Sequence, residues 1–302
     1  MWEFEGLFDA EINPEDQSML ANFWKDEKTG IKLGHMGYRR RTTKAGNRIE
    51  AEVYPVFGRA DRARARAAKK NVTPEAMQKL NVERSARRLI QLIEANFSEA
   101  DVAMGLNYQG TPPDDDRVRK DLRNFLNKVK RQREKMGLPE LKYIYAIGGD
   151  EMPSPGYSGK RPHVHLIMSG GIDRDKLEEI WTEKNPGHGA TNCDRLQPND
   201  DGLEGLARYL MKQRFDRPEK KNAKKWSRSR NLKEPQRRTT DCKISNGRVK
   251  RIAFDFLSHA KETMEKLYPG YGLQNCRIYY SDVVDGVYIR CVLRKRKGGM
   301  PK

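Results

Sequence analysis

Arg161-Pro162-His163-Val164-His165-Leu166-Ile167-Met168-Ser169-Gly170-Gly171 is the stretch whose reading decides the fold. A short apolar run that follows a proline and ends in two glycines predicts a strand. In a strand, residues i and i+2 face the same way about 7 Å apart, so His163 and His165 share one face. Two imidazoles on one face can converge on a single cation, and this face holds two of the five histidines in the chain. Chance, or two histidines hydrogen-bonded at a sheet surface, would explain the pair taken alone. Its context is more specific, because Asp150-Glu151 precedes it and a helix bearing a tyrosine follows.

Working outward, RIEAEVYPVFG alternates from Ile49 to Val53 and predicts a strand stopped by Pro55. Thr73-Pro74-Glu75 opens a helix, with threonine as cap and proline in the first turn. Val102–Tyr108 and Leu141–Ile147 read as strands, and a long helix runs between them from about Asp114 to Met136. Asp173 caps a further helix, TNCDRL is a short strand, and a helix spans about Leu203 to Gln213. Residues 248–267 read as one amphipathic helix, and Arg277–Val283 with Val287–Leu293 as a hairpin turning at Asp285-Gly286. With long loops and no glycine fingerprint, these elements predict an antiparallel α+β fold.

The 302 residues carry a formal charge of +18, which points to a polyanionic partner. The charge is segmental. Residues 1–27 hold one basic and eight acidic side chains, a net of −7, and residues 39–70 are net +8. Residues 71–207 are net −2, residues 208–238 net +10, and the last thirteen +6. The stretch after residue 214 is too polar to fold around its own core. No run nears the ~18 apolar residues that cross a bilayer, and the acidic start MWEFEGLFDAEINPED lacks the features of a secretory signal. A cytoplasmic protein without a membrane partner is therefore expected. Cys193, Cys242, Cys276 and Cys291 form no C-x-x-C pair and are read as reduced thiols.

In GLARYLMKQ, Leu206 and Leu210 are expected to face the core, leaving Tyr209 and Lys212 at i, i+3 as surface neighbours. A free tyrosine ionises near pH ~10, so a phenol becomes a nucleophile at neutral pH only beside a cation or metal. Lys212 is placed to supply part of that field. Downstream, Trp226 lies among Lys224, Lys225, Arg228 and Arg230, an aromatic plane among cations that suits single-stranded DNA. Arg208 and Arg214 flank the tyrosine and extend that basic set. No G-x-x-x-x-G-K-[ST] phosphate loop is present, so no helicase domain is expected in the chain, and no cofactor-binding residues are assigned.

The His-x-His strand, followed at this distance by a helical Tyr-x-x-Lys, resembles the HUH endonucleases, specifically the rolling-circle replication initiators of Gram-positive phages, plasmids and integrative elements. The resemblance extends over roughly residues 48–290, through EVYPVFGR, NFSEADVAMGLNY, DLRNFLNKVKRQREKMGLPELKYIY, GGIDRDKLEEIW, CDRLQPNDDGLEGLARYLMK, KKWSRSRNL and KLYPGY. It implies a central antiparallel sheet in an RRM- or ferredoxin-like arrangement, flanked by helices and followed by a basic C-terminal extension. Residues 48–214 would be the nicking domain and 215–302 a basic linker, helix and hairpin that contact DNA. Residues 1–47 would be an acidic, then basic, partly disordered segment.

By the same resemblance, His163 and His165 with one acidic group would bind Mg²⁺ or Mn²⁺ against the scissile phosphate. Glu151 is preferred as third ligand for its reach, with Asp150 close behind. Tyr209 would attack to give a 5′-phosphotyrosine and a free 3′-OH. Two departures stand out: Leu106-Asn107-Tyr108 where relatives often read Leu-Thr-Tyr, and Gly148-Gly149 ahead of the acidic pair. The implied partners are single-stranded DNA at an origin-like hairpin and a host helicase and polymerase, with no small-molecule substrate. A relaxase or single-strand transposase would use the same chemistry. The rival of another class is a non-catalytic basic protein that binds single-stranded nucleic acid.

Overall fold

The computed structural model describes residues 10–12, 37–56, 58–60, 62–63, 74–110, 113–149, 161–183, 185–212, 224–254, 256–280 and 287–296. In chain order the elements are β1 (Ala10–Ile12), β2 (Tyr38–Ala45), β3 (Arg48–Pro55), α1 (Pro74–Asn96), β4 (Val102–Tyr108), α2 (Asp115–Lys135), β5 (Tyr143–Gly148) and β6 (His163–Met168). They continue with α3 (Arg174–Thr182), β7 (His188–Arg195), α4 (Glu204–Lys212), β8 (Ser227–Arg228), β9 (Gln236–Ile244), α5 (Asn246–Phe254), α6 (Phe256–Leu267), β10 (Tyr271–Tyr280) and β11 (Val287–Lys295). The fold is α+β, with two antiparallel sheets rather than one central sheet. No described helix is long and apolar enough to cross a membrane.

The chain divides into two compact units, residues 85–234 and residues 1–84 with 235–302. These are not the divisions at 47/48 and 214/215 expected from sequence. The reason is pairing: β3 hydrogen-bonds to β2 and β11, so it belongs with the C-terminal hairpin and not with the histidine strand.

In residues 85–234 the sheet order is β7-β4-β6-β5-β8, which puts the histidine strand in the middle. Its face bearing Met104, Leu106, Val164 and Leu166 is covered by Leu122, Phe125 and Val129 of α2 and Leu177 and Trp181 of α3. Sequence chemistry sets the ends of α2. Asp114 caps it by accepting from the Arg117 N–H at 2.7 Å, and Asp115 and Asp116 complement the positive end of the helix dipole. At the other end Leu138 N–H donates to Arg133 O and Gly137 N–H to Glu134 O, with Gly137 at φ +66°. That closure needs a left-handed residue, which glycine supplies without steric cost. Buried Arg133 then donates to the carbonyls of Pro139, Ser169 and Gly170, fixing the loops that lead into β5 and leave β6.

The described part of the polar stretch after residue 214 docks through hydrogen bonds rather than forming a core of its own. Ser227 and Arg228 pair with β5, Trp226 Nε1 donates to Ser85 Oγ at 3.0 Å, and Asn96 binds the backbone of Lys233.

In the other unit the sheet order is β1-β10-β11-β3-β2-β9. Alternation in β3 sends Ile49, Ala51 and Val53 into a core with Val249 and Ile252 of α5 and Ala260 and Met264 of α6. The same alternation buries Glu50 and Glu52 on the opposite face, where Arg48, Arg290 and Arg41 pair with them. Buried carboxylates require such partners. Residues 38–45, expected within a partly disordered segment, form β2, while residues 1–9 and 13–36 lie outside the described residues. The single helix expected over 248–267 is two helices that pack on each other. The C-terminal hairpin pairs Tyr280 with Val287, and its turn at Asp285-Gly286 lies outside the described residues.

Candidate active site

In β6, Val164, Leu166 and Met168 enter the core beneath α2 and α3, so His163 and His165 emerge on the opposite face. That face receives α4. Ala207, Leu210 and Met211 are buried, whereas Leu206 is only half-buried, so the inward stripe of this helix is shifted from the Leu206/Leu210 pair expected. Tyr209 falls beside the stripe and is 48% exposed; with Met136 it makes up the exposed large hydrophobic side chains among the described residues. The His163 and His165 ring centroids are 4.7 Å apart, and those of His165 and Tyr209 5.0 Å, both edge to face. Two residues of a strand and one from a helix some 44 positions later are thereby in a single cluster.

Backbone geometry orients the first imidazole. His163 Nδ1 lies 2.8 Å from Arg161 O, and a carbonyl only accepts, so Nδ1 carries the proton and the Nε2 lone pair remains for a ligand. Gly148 pairs with His163 across the β5–β6 ladder. A Cβ there would stand 2.6 Å from His163 Nε2 and 2.9 Å from its Cε1. The ring therefore lies over the bare backbone of that glycine. Gly149 follows at φ +79°, where a Cβ would meet Arg161 O at 2.2 Å. These two glycines are site residues that sequence reasoning recorded only as a departure from relatives. Their signal was the placement of Gly-Gly directly after an apolar run that hairpins onto His-x-His.

Two imidazoles side by side on one face, the first oriented by a backbone hydrogen bond and seated over a bare glycine, are nitrogen donors of the kind that can ligate a divalent cation. The carboxylates that would complete it, Glu151 and Asp150, lie outside the described residues, as does Arg214. Among the described residues no group of three or more metal-binding side chains occurs. Lys212 belongs to α4, and its side chain is not described. Arg208 is exposed and pairs with Glu204 one turn back at 2.5 Å. Lys224 and Arg230 are exposed; Lys225, Trp226 and Arg228 are half-buried, and Arg228 pairs with Glu234 at 2.8 Å.

A cavity of about 240 Å³ lies elsewhere, at α2, α3 and β7, with Asp121, Asn124, Lys128, Trp181 and His188 in its wall. His188 is buried there, stacked on Trp181 at 3.8 Å, with Nδ1 donating to Trp181 O. Burial pushes the neighbouring Tyr108 hydroxyl well up, with the Asp121 charge adding to the effect. None of the histidine–tyrosine cluster lines this cavity. Comparison of the chain with protein-family models, with curated proteins and with solved structures finds no match.

Proposed function

We propose that this chain is a metal-dependent endonuclease and strand transferase for single-stranded DNA, of the HUH replication-initiator type, acting from the cytoplasm on a mobile element. The observation that carries the reading is the convergence of His163, His165 and Tyr209. A metal-assisted phosphoryl transfer at this site would use the two imidazole nitrogens as ligands and the phenol oxygen beside them as nucleophile. The sheet adds support: β4-α2-β5-β6-α3-β7 is a β-α-β-β-α-β series whose strands lie in the order fourth, first, third, second. That is a ferredoxin-like arrangement, the fold the resemblance implies.

His163 and His165, with Glu151 or Asp150, would hold Mg²⁺ or Mn²⁺. Bound there, the cation would neutralise phosphate charge and polarise a P–O bond. The Tyr209 oxygen forms a bond to phosphorus while the bond from phosphorus to the 3′ oxygen breaks. The proton lost by the phenol ends on that 3′ oxygen, leaving a 5′-phosphotyrosine and a 3′-OH that a host polymerase extends. Lys212 would favour the phenolate, and rejoining is the same exchange in reverse. Arg208, Arg214 and the Lys224–Arg230 segment would guide the strand, and unwinding would fall to a host helicase.

Tyr209→Phe tests this directly. Incubated with single-stranded DNA and Mn²⁺, the wild-type chain should give a covalent adduct on a denaturing gel, and the variant should give none while binding DNA within about twofold. Adducts that persist in the variant, or cleavage unaffected by a chelator, would overturn the assignment. Strong salt-dependent binding with no cleavage across many sequences would instead favour a binding protein.

A further inference from the structure

The hairpin register brings together two cysteines separated by fifteen positions. Cys276 of β10 sits directly opposite Cys291 of β11, and their sulfurs are 3.1 Å apart. That is inside the roughly 3.5–4.0 Å of ordinary non-bonded carbon contacts. Opposed residues of an antiparallel ladder have Cα atoms about 4.5 or 5.5 Å apart, and a disulfide spans about 4.4–6.8 Å, so the spacing of either pair type falls within the disulfide range. Cys291 is fully buried in the core with Ile289 and Leu293, whereas Cys276 is only half-buried. The other two cysteines have no comparable placement: Cys193 is on β7 of the other unit, and Cys242 is on β9 at the far edge of this sheet.

We propose that Cys276 and Cys291 are a modification site, a cross-strand thiol pair that hydrogen peroxide converts reversibly into an intramolecular disulfide. The half-buried Cys276 sulfur takes one oxygen atom from the peroxide, becoming a sulfenic acid as water leaves. The Cys291 sulfur then displaces that oxygen, so that an S–S bond forms and an S–O bond breaks, and its proton departs with the hydroxyl as a second water. Two electrons pass from the sulfur pair to the peroxide, and a dithiol such as dithiothreitol returns them. The order of attack follows from the site. Its contact with Cys276, and then burial, push the Cys291 thiol well up, so it remains protonated until the sulfenic acid is beside it.

The test uses the full chain, treated with a few equivalents of hydrogen peroxide, denatured, alkylated and weighed intact. The expected result is loss of two of the four alkylatable thiols, a fall of about 2 Da before alkylation, and a linked peptide pair containing Cys276 and Cys291, all reversed by dithiothreitol. Cys276→Ser should abolish the loss, and Cys291→Ser should leave Cys276 oxygenated with no linked peptide. Four thiols still alkylated, linkage between two chains, linkage through Cys193 or Cys242, or a two-thiol loss that survives Cys276→Ser would each overturn the proposal. Peptide mapping reads the outcome without reference to DNA cleavage, so failure of the proposed nicking activity leaves it intact.

Discussion

Gly148→Ala isolates the geometry of the first histidine from the stability of the fold. The added Cβ would stand 2.6 Å from His163 Nε2, whereas ordinary contact begins at 3.4 Å, so the ring must retreat by about 0.8 Å. It cannot do so freely, because Nδ1 is tied to Arg161 O at 2.8 Å and the ring rests against His165 at 4.7 Å. Retreat stretches or breaks that hydrogen bond, at a cost of about 1 kcal/mol. Gly148 is not among the glycines at positive φ, so alanine is tolerated by the backbone and regains roughly 0.4–1 kcal/mol from a less disordered unfolded chain. The melting temperature should therefore change by only a few degrees. Adduct formation should fall about 10–100-fold, the usual consequence of shifting a reacting group or ligand by most of an ångström. The assay is the initial rate of covalent adduct on a single strand that the wild-type chain cleaves, paired with ¹⁵N shifts of the His163 imidazole. A variant within twofold of wild type, with unchanged imidazole shifts, would refute the view that this glycine seats the histidine. Gly149→Ala is the contrast: φ +79° and a 2.2 Å approach to the Arg161 carbonyl should destabilise the fold itself by about 2 kcal/mol or more.

Two further outcomes concern stability. Burial pushes the Tyr38 hydroxyl from 10.0 up to about 12, so between those values the folded chain holds a proton that the unfolded chain releases. Stability is then full below pH ~10 and declines toward pH ~12 by roughly 2–3 kcal/mol relative to Tyr38→Phe, measurable by urea unfolding across that range. Arg133→Met removes the donor to the Pro139, Ser169 and Gly170 carbonyls and should lower stability by about 2–4 kcal/mol, seen as a lower urea midpoint with an unchanged slope.

What could be read in the sequence was local. The ends of α2 and α3 follow from Asp114 and Asp173, each accepting from a backbone N–H of its own first turn. The alternation around His163 and His165 gave their common face because Val164 and Leu166 mark the core side. What escaped depends on partners distant in the chain. β9, Gln236–Ile244, is almost wholly polar and reads as linker, yet it pairs with β2 some 200 residues earlier, where Asp241 meets Arg39 at 2.6 Å. Polar edge strands gain their order from ladder hydrogen bonds and cross-strand ion pairs, which leave no hydrophobic period to detect. The resemblance puts β3 in one domain with the histidine strand, though its partner β11 comes after every strand of that sheet. The Cys276–Cys291 pair was in principle available, since matching Tyr280 with Val287 in the hairpin places the two cysteines opposite each other.

Charge is where residue counting and the fold diverge most, and the divergence can be tested. The basic segments imply separate stretches of attraction for DNA, but folding assigns several of those cations to carboxylates. Arg39 is bound by Asp241, Arg41 by Glu52 and Arg48 by Glu50; Arg208, next to the proposed nucleophile in the chain, is bound by Glu204, and Arg228 by Glu234. The pairs differ in what they concede to a phosphate. Arg48 and Glu50 are almost completely buried and are committed to the sheet, whereas the Arg208 side chain is 64% exposed. An exposed helix pair of that kind is worth only a few tenths of a kcal/mol, less than a charge-assisted bond to phosphate, so Arg208 can exchange Glu204 for DNA. Glu204→Gln removes both the competitor and one negative charge from the helix that carries Tyr209. Affinity for single-stranded DNA at low salt should rise about two- to fivefold, with the logarithmic salt slope steeper by no more than one ion, as read by fluorescence anisotropy across a salt series. Unchanged affinity and slope would mean that the strand does not approach Tyr209 past Arg208, and that other cations, such as the exposed Lys224 and Arg230, provide the route.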